Sequence, residues 1–318
     1  MFMSDQITYS FTSHTLQEIF ELLQEFKIDS KQNEISFEVL NPDNYTHCYA
    51  GEKIFLEGCE YIYRGYKSWC DLAEIFQCKF FTPIVNSQHT VILKFQKLDQ
   101  TSSFHKKSFM VPKDEKYGID SEFAKISKNE EPAFLHYYLQ ALKNVNICQK
   151  KRILNLGINS GDEFTVIQRL CENFEAIEFV GIDISKSAIE EAKNKFKSEN
   201  FHFYTHDITK LEELDLGKFD LIITIGTLQS SGIEFKPSFN SLVQNYLEKD
   251  GAMILGFPNC RWIDGEMIYG SFAPNYNFSE MSLLIKDIYY CKKYLQQKKF
   301  RVSISGKTYP FLTATSIR

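Results

Sequence analysis

The sequence lacks an apolar run long enough to cross a membrane, and its first residues lack the basic segment and apolar core of a signal peptide. The chain has no excess of positive charge, since its formal net charge is −5. The net charge therefore does not favour binding of nucleic acid. Internal repeats are absent as well. We therefore expect a water-soluble, cytoplasmic globular protein with no membrane partner, and nothing in the sequence indicates an oligomeric state.

The eight cysteines of the chain are scattered and include no Cys-x-x-Cys pair. No His-x-x-x-His accompanies them, which argues against a zinc ribbon, and the lack of a close pair argues against a redox dithiol. They are Cys48, Cys59, Cys70, Cys78, Cys148, Cys171, Cys260 and Cys291. We expect reduced thiols in the core and no metal site.

A length of 318 residues predicts two domains. The first part reads as an amphipathic helix up to about Asn33, followed by short strands, a helix from Ser68 to Gln77 and further strands, which indicates a small α+β unit. The composition turns polar after Asp99, and breakers and charges follow Pro112. We therefore predict an N-terminal α+β domain over residues 1–112, for substrate recognition or docking, and a second domain over residues 113–318.

Strands and helices alternate along the second part of the chain. Apolar strands are predicted at 153–156, 178–182, 201–204, 219–225 and 252–256. Alternation of this kind predicts a parallel sheet with helices on both faces. The tail departs from it, because two strands joined by a short loop with Gly306 follow the last helix and place an antiparallel strand in the sheet. We predict a Rossmann-like, doubly wound, mostly parallel seven-stranded sheet with an antiparallel C-terminal hairpin strand.

Two glycines interrupt the chain between the first of these strands and the next helix. Gly157 and Gly161 allow positive φ and close approach of the backbone, and the helix that follows offers free N–H groups and a positive dipole end. This geometry suits a nucleotide-like ligand. An acid follows the second strand, at Asp183, and another follows the third, at Asp207.

A glycine turn after the first strand, acids after the second and third strands, and a terminal hairpin together resemble a class I S-adenosylmethionine-dependent methyltransferase over residues 115–318. In that family the turn reads acid-x-Gly-x-Gly-x-Gly and holds the methionine end of the cofactor. Here Asn155 replaces the acid and Asn159 replaces the middle glycine. Asparagine tolerates positive φ, so Asn159 fits, whereas Asn155 loses a negative charge that would help to hold the cofactor ammonium.

The resemblance implies roles for residues at the other strand ends. Asp183 would accept hydrogen bonds from both ribose hydroxyls, with Ile184 on the adenine face. Asp207 would accept a hydrogen bond from the adenine amino group, and the Ile208 N–H would donate to a ring nitrogen. The alternative for either aspartate is a helix N-cap. The other residues of the predicted S-adenosylmethionine site are Asn155, Gly157, Asn159, Gly161 and Ile225.

A long polar and aromatic loop follows the fifth strand and continues through Asn275 and Tyr276, and it is the candidate for substrate recognition. Its alternative is a structural insertion that covers the sheet edge. The candidate substrate-binding residues are Arg261, Trp262, Glu266 and Tyr269. Because the cofactor sulfonium is already electrophilic, the protein needs chiefly to position the acceptor and exclude water. An alcohol or protonated amine also needs a base, for which the candidates are Glu266, Tyr269 and His136.

We expect methyl transfer to an oxygen or nitrogen atom of a small-molecule acceptor. The first alternative is a tRNA or rRNA methyltransferase whose N-terminal domain docks RNA, with Arg64 and Lys67 joining the cations of the tail. Those cations are Lys286, Lys292, Lys293, Lys298, Lys299, Arg301 and Lys307. A second alternative is a non-catalytic scaffold that binds the cofactor weakly. An NAD(P)-dependent oxidoreductase would normally have the Gly-x-Gly-x-x-Gly turn, which this chain lacks.

Overall fold

The computed structural model describes residues 9–102, 115, 117–271 and 279–317. The chain divides into two compact units. The first comprises Met1–Ser103 with Trp262–Ile268, and the second comprises Phe104–Arg261 with Tyr269–Arg318. The boundary predicted near residue 112 lies outside the described residues. In the ranges given above, no helix is long and apolar enough to cross a membrane.

The first unit contains a five-stranded sheet, a separate hairpin and two helices. Its elements are β1 (Tyr9–Ser10), α1 (Leu16–Ile28), β2 (Glu34–Leu40), β3 (Lys53–Leu56), β4 (Cys59–Ile62), α2 (Tyr66–Phe76), β5 (Cys78–Phe80), β6 (Ile84–Val85) and β7 (Thr90–Lys97). The sheet has the order β1-β2-β7-β5, with β6 also paired to β7, while β3 and β4 form the hairpin.

Helix α1 begins where a capping box predicts. The Thr15 hydroxyl accepts a hydrogen bond from the Glu18 N–H, and the Glu18 carboxylate accepts one from the Thr15 N–H at 2.7 Å. The apolar stripe of Ile19, Leu23 and Phe26 is buried in the core of the first unit. An ordinary amphipathic pattern therefore fixes this part of the fold.

The second unit contains the predicted large sheet. Its elements are α3 (Pro132–Asn144), β8 (Arg152–Leu156), α4 (Asp162–Leu170), β9 (Glu178–Asp183), α5 (Lys186–Lys195), β10 (Phe201–Thr205), β11 (Phe219–Ile225), α6 (Phe235–Ser241), β12 (Leu247–Gly256), β13 (Cys260–Ile263), β14 (Glu266–Tyr269), α7 (Ser282–Gln297), β15 (Phe300–Ser305) and β16 (Phe311–Ser316). Strands β13 and β14 pair as a separate two-stranded sheet, and part of each belongs to the first unit.

Seven strands form the sheet in the order β10-β9-β8-β11-β12-β16-β15. β16 is antiparallel to both of its neighbours, and the pairs from β10 to β12 are parallel. This confirms the predicted mostly parallel, seven-stranded sheet with an antiparallel hairpin strand. The strand order reverses direction between β8 and β11, so the crevice beyond their carboxyl ends is the expected ligand position of an open α/β sheet.

Different cores cover the two faces of this sheet. Leu154 and Leu156 of β8 lie in a large cluster with residues of α6 and α7. The opposite face carries stacked aromatic rings, with the Phe179 and Phe201 centroids 4.5 Å apart and Phe164 of α4 within 5.0 Å of Phe179. Because side chains alternate along a strand, Asn155 faces the side that carries α4.

Cys148 and Cys171 form a disulfide, so the expectation that all cysteines are reduced thiols is wrong for this pair. The bond joins the 3₁₀ turn Ile147–Gln149, which precedes β8, to the residue that follows α4. The other six cysteines are free. Among the described residues, no group of three or more His, Cys, Asp or Glu side chains is placed to hold a metal ion.

The disulfide can be tested by counting the cysteines that react with an alkylating agent. Alkylation of the denatured, unreduced protein should modify six cysteines, and alkylation after reduction should modify eight, as counted by intact mass. Cys148→Ser should lower the free energy of unfolding by about 3 kcal/mol, because it releases a loop closed across 23 residues. Cys59→Ser removes an exposed free thiol and serves as the control. Eight modified cysteines without reduction would show that the bond does not form.

Candidate active site

The turn after β8 is tied to the end of β9 by backbone hydrogen bonds. The N–H groups of Gly157 and Ile158 both donate to the Ile182 carbonyl, at 2.8 and 3.2 Å. Positive φ angles occur at Gly157 (70°), Asn159 (48°) and Gly161 (88°), so asparagine adopts the left-handed conformation at the position where the family has glycine. The Asn159 side chain supports this conformation by accepting a hydrogen bond from the Ser160 N–H at 2.9 Å.

The two glycines of the turn also allow side chains to approach the backbone closely. A Cβ at Gly157 would lie 2.1 Å from Oγ1 of Thr227, and a Cβ at Gly161 would lie 2.4 Å from the Phe196 ring. Thr227 is held there because its hydroxyl donates to the Leu156 carbonyl at 2.9 Å. Both positions therefore require glycine for space as well as for φ.

Asp183 ends β9 with its carboxylate directed at the turn. Its Oδ2 accepts a hydrogen bond from the Asn159 N–H and its Oδ1 accepts one from the Ser185 N–H, each at 2.9 Å. The residue is 9% exposed, and burial raises the pKa of the carboxyl despite these hydrogen bonds. A carboxylate has about four acceptor positions, so the two bonds leave capacity for a diol. Ser185 caps α5 instead, which removes capping as the explanation for Asp183.

Asp207 lies at the same sheet edge, because Thr205 pairs with Asp183 and the His206 N–H donates to the Asp183 carbonyl. Its Oδ1 accepts hydrogen bonds from the N–H and hydroxyl of Thr209, at 2.9 and 2.8 Å, and so caps the 3₁₀ helix Ile208–Leu214. These bonds hold the pKa of the carboxyl below its usual range. Capping therefore occupies one oxygen, and Oδ2 forms no hydrogen bond within the described ranges.

An exposed apolar side chain follows Asp183. The Ile184 side chain is 49% exposed and offers an apolar surface beside the acid. A small pocket of about 40 Å³ is lined by residues that include Leu156, Ile208 and Leu228. Ile225, by contrast, is 4% exposed and packs against Gly256, so its side chain belongs to the core.

Sequence reasoning missed Glu163, an acid in the first turn of α4. It is 7% exposed, and burial raises the pKa of its carboxyl. From sequence alone an acid here is expected at a helix start, where it interacts favourably with the dipole. The signal was its spacing, because Glu163 lies three and four residues before the buried Val166 and Ile167 and thus on the buried face of α4.

Two of the candidate bases, His136 and Glu266, have exposed side chains. His136 is on the exposed side of α3, opposite Phe134 and Tyr138, and Glu266 is exposed in the first unit. Among the described residues, no hydrogen bond or ion pair links either side chain to the sheet edge of Asp183. Their catalytic role stays a prediction.

The remaining substrate candidates have other contacts. The Arg261 guanidinium donates to the carbonyl oxygens of Tyr269 and Gly270, at 3.1 and 2.5 Å, and so tethers the ends of its own loop. The Tyr269 hydroxyl donates to Sδ of Met281 at 3.4 Å. Trp262 is buried and belongs to the first unit. Asn275 and Tyr276 lie outside the described residues.

The two cations that the RNA alternative assigns to the first unit are already engaged. Arg64 is 5% exposed, donates to the His14 carbonyl at 2.7 Å and lies 5.7 Å from the Trp69 ring. Lys67 pairs with Asp71, one helical turn further along α2. Burial of Arg64 removes it from any surface that would dock RNA.

The family comparison agrees with this topology. Residues 147–298 match a family model described as a methyltransferase domain. The match covers β8 to β12, the five parallel strands of the large sheet. The predicted family resemblance is therefore confirmed over the domain that carries the glycine turn, Asp183 and Asp207. No curated protein matches the sequence.

Parts of the chain are similar to solved methyltransferase structures at low identity. The plantazolicin methyltransferase BpumL, crystallised with a desmethyl substrate analogue and S-adenosylhomocysteine, is 13% identical, with a TM-score of 0.43, over 64% of this chain and 94% of that chain. Magnesium protoporphyrin IX methyltransferase from Synechocystis PCC 6803, with bound S-adenosylmethionine, is 18% identical, with a TM-score of 0.38, over 63% and 88%. A methyltransferase from Aquifex aeolicus is 15% identical, with a TM-score of 0.41, over 61% and 98%. Similarity at this level carries no argument about the acceptor.

Proposed function

We propose that this domain transfers a methyl group from S-adenosylmethionine to an oxygen or nitrogen atom of a small-molecule acceptor. The observation that carries the proposal is the position of the Asp183 carboxylate. It accepts a hydrogen bond from the Asn159 N–H, in the turn after β8, where the strand order of the sheet reverses. A buried, acceptor-only group beside a turn with two positive-φ glycines has the chemistry that a nucleoside with an amino-acid tail requires.

The residues present fit the cofactor part by part. Asp183 retains acceptor capacity for a ribose diol, and the exposed Ile184 side chain offers an apolar surface for adenine. Asp207 retains one carboxylate oxygen for an amino group. The N–H groups from Gly157 to Gly161 are all hydrogen-bonded within the domain, so the N–H groups of the first turn of α4 are the ones left for the amino-acid end.

When bound, S-adenosylmethionine supplies a methyl group on a sulfonium that is already a strong electrophile. The work left to the protein is to hold the acceptor in line with that group and to keep water out. An acceptor hydroxyl or ammonium must also lose a proton to a base. We retain Glu266, Tyr269 and His136 as the candidates for that base and Arg261, Trp262, Glu266 and Tyr269 as the candidate acceptor contacts.

A small acceptor is favoured over nucleic acid on the grounds of charge. The net charge of −5 opposes attraction to a polyanion, and Arg64 is buried in the first unit. Retention of bulk tRNA that weakens steeply with added salt would instead favour an RNA acceptor, because phosphate contacts release counterions.

Titration calorimetry with S-adenosylhomocysteine and with NADH tests the proposal. We expect binding of one S-adenosylhomocysteine per chain and no heat of binding with NADH. The second ligand shares the adenosine ribose with the first, so it controls for general nucleoside binding by a doubly wound sheet. Binding of NADH without S-adenosylhomocysteine, or of neither ligand, would overturn the assignment.

A further inference from the structure

Asn155 leaves a polar group without a partner inside the methyltransferase domain. The side chain is 1% exposed, and its Nδ2 has no hydrogen-bond partner among the described residues. Buried polar atoms are usually paired, so this group at the end of the central strand is available to a polar group of a ligand. The amide can present either its donor or its acceptor end, since the two ends are interchangeable by a flip.

Glu163 is the second unusual group on the same face of the sheet. Its helix, α4, packs on the face that Asn155 occupies, with the Phe164 ring 5.0 Å from Phe179 of β9. Within the described part of the chain, no Lys, Arg or His nitrogen lies within 4.0 Å of the Glu163 carboxylate. A buried carboxylate without a cation is costly to ionise, and such groups in proteins are usually paired.

Further negative charge lies near Glu163. The carboxylate of Asp183 is close enough to oppose its ionisation, as is that of its neighbour Asp162. Lys128 favours the ionised form, but its Nζ lies over the rings of Phe123 and Tyr309, at 5.6 and 5.9 Å. The end of the turn is therefore a buried site with surplus negative charge, which suits a ligand that brings a positive group.

We propose that Glu163 supplies the carboxylate that binds the α-ammonium of the cofactor's amino-acid end, in place of the acid that the family has at position 155. This inference rests on the proposed function. The acid has moved from the end of β8 to the first turn of α4, two residues after Gly161. Asn155 then provides a neutral hydrogen-bonding group at the end of β8.

The test is calorimetry on wild type and Glu163→Gln with two ligands that differ only at the amino-acid end. S-adenosylhomocysteine carries the ammonium, and 5′-methylthioadenosine has the same nucleoside without it. Glu163→Gln should weaken S-adenosylhomocysteine about ten- to a hundredfold, the range for losing one hydrogen bond to a charged group, and should change 5′-methylthioadenosine by less than about twofold.

Asp162→Asn is the matched control. Asp162 lies in the same first turn of α4, but its side chain is 43% exposed and pairs with Lys195 at 2.9 Å. The substitution removes the same charge from the same helix start, so any effect through the helix dipole is shared. Because it removes a charge that opposes ionisation of Glu163, it should not weaken the binding of either ligand.

The double variant Glu163→Gln with Asn155→Asp keeps the inference testable if the single variant folds poorly. It returns a carboxylate to the end of β8 and keeps the number of buried acids constant. We expect it to recover most of the lost affinity for S-adenosylhomocysteine. Asn155→Asp alone should fold less stably, because it adds another acid to a site that already has two buried carboxylates.

Affinity should also depend on pH through Glu163. Its pKa is raised above the ordinary value of 4.5, and the carboxylate binds an ammonium only when ionised. Affinity for S-adenosylhomocysteine should therefore fall as the pH drops toward this raised pKa, and the fall should be shallower in Glu163→Gln.

The outcomes separate this inference from the proposed function. Unchanged affinity of Glu163→Gln for S-adenosylhomocysteine, or equal weakening of both ligands, would overturn the role of Glu163 while leaving the methyltransferase proposal intact. Failure of wild type to bind either ligand would overturn the proposed function itself.

Discussion

Replacing Asp183 with alanine is expected to weaken S-adenosylhomocysteine binding by at least about a hundredfold, since it removes two hydrogen bonds from a diol to a charged acceptor, each worth about 1.5–3 kcal/mol. The change also releases the N–H groups of Asn159 and Ser185 that now donate to the carboxylate. The turn after β8 would then lose its link to the end of β9. Calorimetry measures the affinity, and thermal unfolding shows whether the domain remains folded.

A ligand without the ribose 2′-hydroxyl distinguishes two effects of Asp183→Ala. One is the loss of hydrogen bonds from the ribose diol, and the other is disturbance of the turn after β8. Wild type should bind 2′-deoxy S-adenosylhomocysteine more weakly than the parent compound, whereas Asp183→Ala should discriminate little between the two. This is the coupling expected when residue and hydroxyl interact directly. Glu175→Gln is the control, since Glu175 is exposed in the 3₁₀ turn that precedes β9, at the opposite end of that strand. Equal discrimination by wild type and Asp183→Ala would contradict the assigned role.

Gly157→Ala is expected to lower the free energy of unfolding by about 2–5 kcal/mol, because a left-handed conformation costs a residue with a Cβ roughly 1–2 kcal/mol and overpacking adds roughly 1–3 kcal/mol. The angle is φ 70°, and the new methyl would lie 2.1 Å from Oγ1 of Thr227. Urea unfolding measures the loss. The same displacement of Thr227 would disturb the cofactor turn, so affinity for S-adenosylhomocysteine should fall as well.

Two further variants divide the loss of stability in Gly157→Ala into a conformational part and an overpacking part. Gly232 has φ 96° and nothing within 4 Å of a new Cβ, so Gly232→Ala should show only the conformational cost of roughly 1–2 kcal/mol. Thr227→Ala, combined with Gly157→Ala, should recover the overpacking part and leave the conformational part. Equal losses in Gly157→Ala and Gly232→Ala would mean that the close approach of Thr227 does not constrain the turn.

The architecture of the large sheet was predictable because parallel strands covered on both faces leave a strong sequence signal. The apolar runs of β8, β9 and β11 are short and nearly continuous, and the helices between them have amphipathic stripes. Element ends were less predictable. The helical segment between β11 and β12 is α6 over Phe235–Ser241 with a π-helical turn over Leu242–Tyr246, and β12 begins directly at Leu247. Pro237 lies in the first turn of α6, where its missing N–H is harmless.

Contacts between distant residues had no local signal. The disulfide joins cysteines whose Cα atoms are 5.2 Å apart in space but 23 residues apart in sequence. The segment Trp262–Ile268 belongs to the first unit through contacts such as the Asp264 N–H donating to the Ser102 carbonyl at 2.7 Å. Composition also predicts exposure for arginine, whereas Arg64 is buried. Such features depend on which elements meet.

The sequence predicted which acids lie at the site, but it did not predict their hydrogen bonds or their burial. Strand ends place Asp183 and Asp207 at one edge of a parallel sheet, because neighbouring parallel strands end together. Their hydrogen bonds differ for reasons that only the structure shows, since Asp207 caps a 3₁₀ helix and Asp183 does not cap α5. The burial of Glu163 depends on how α4 packs against β9.

A crystal structure of the protein with S-adenosylhomocysteine tests the central claim most directly. We predict a bound nucleoside whose two ribose hydroxyls lie within hydrogen-bond distance of the Asp183 carboxylate, with the amino-acid end beside the turn from Gly157 to Gly161. A ligand bound elsewhere on the chain, or ribose hydroxyls directed away from Asp183, would contradict the account.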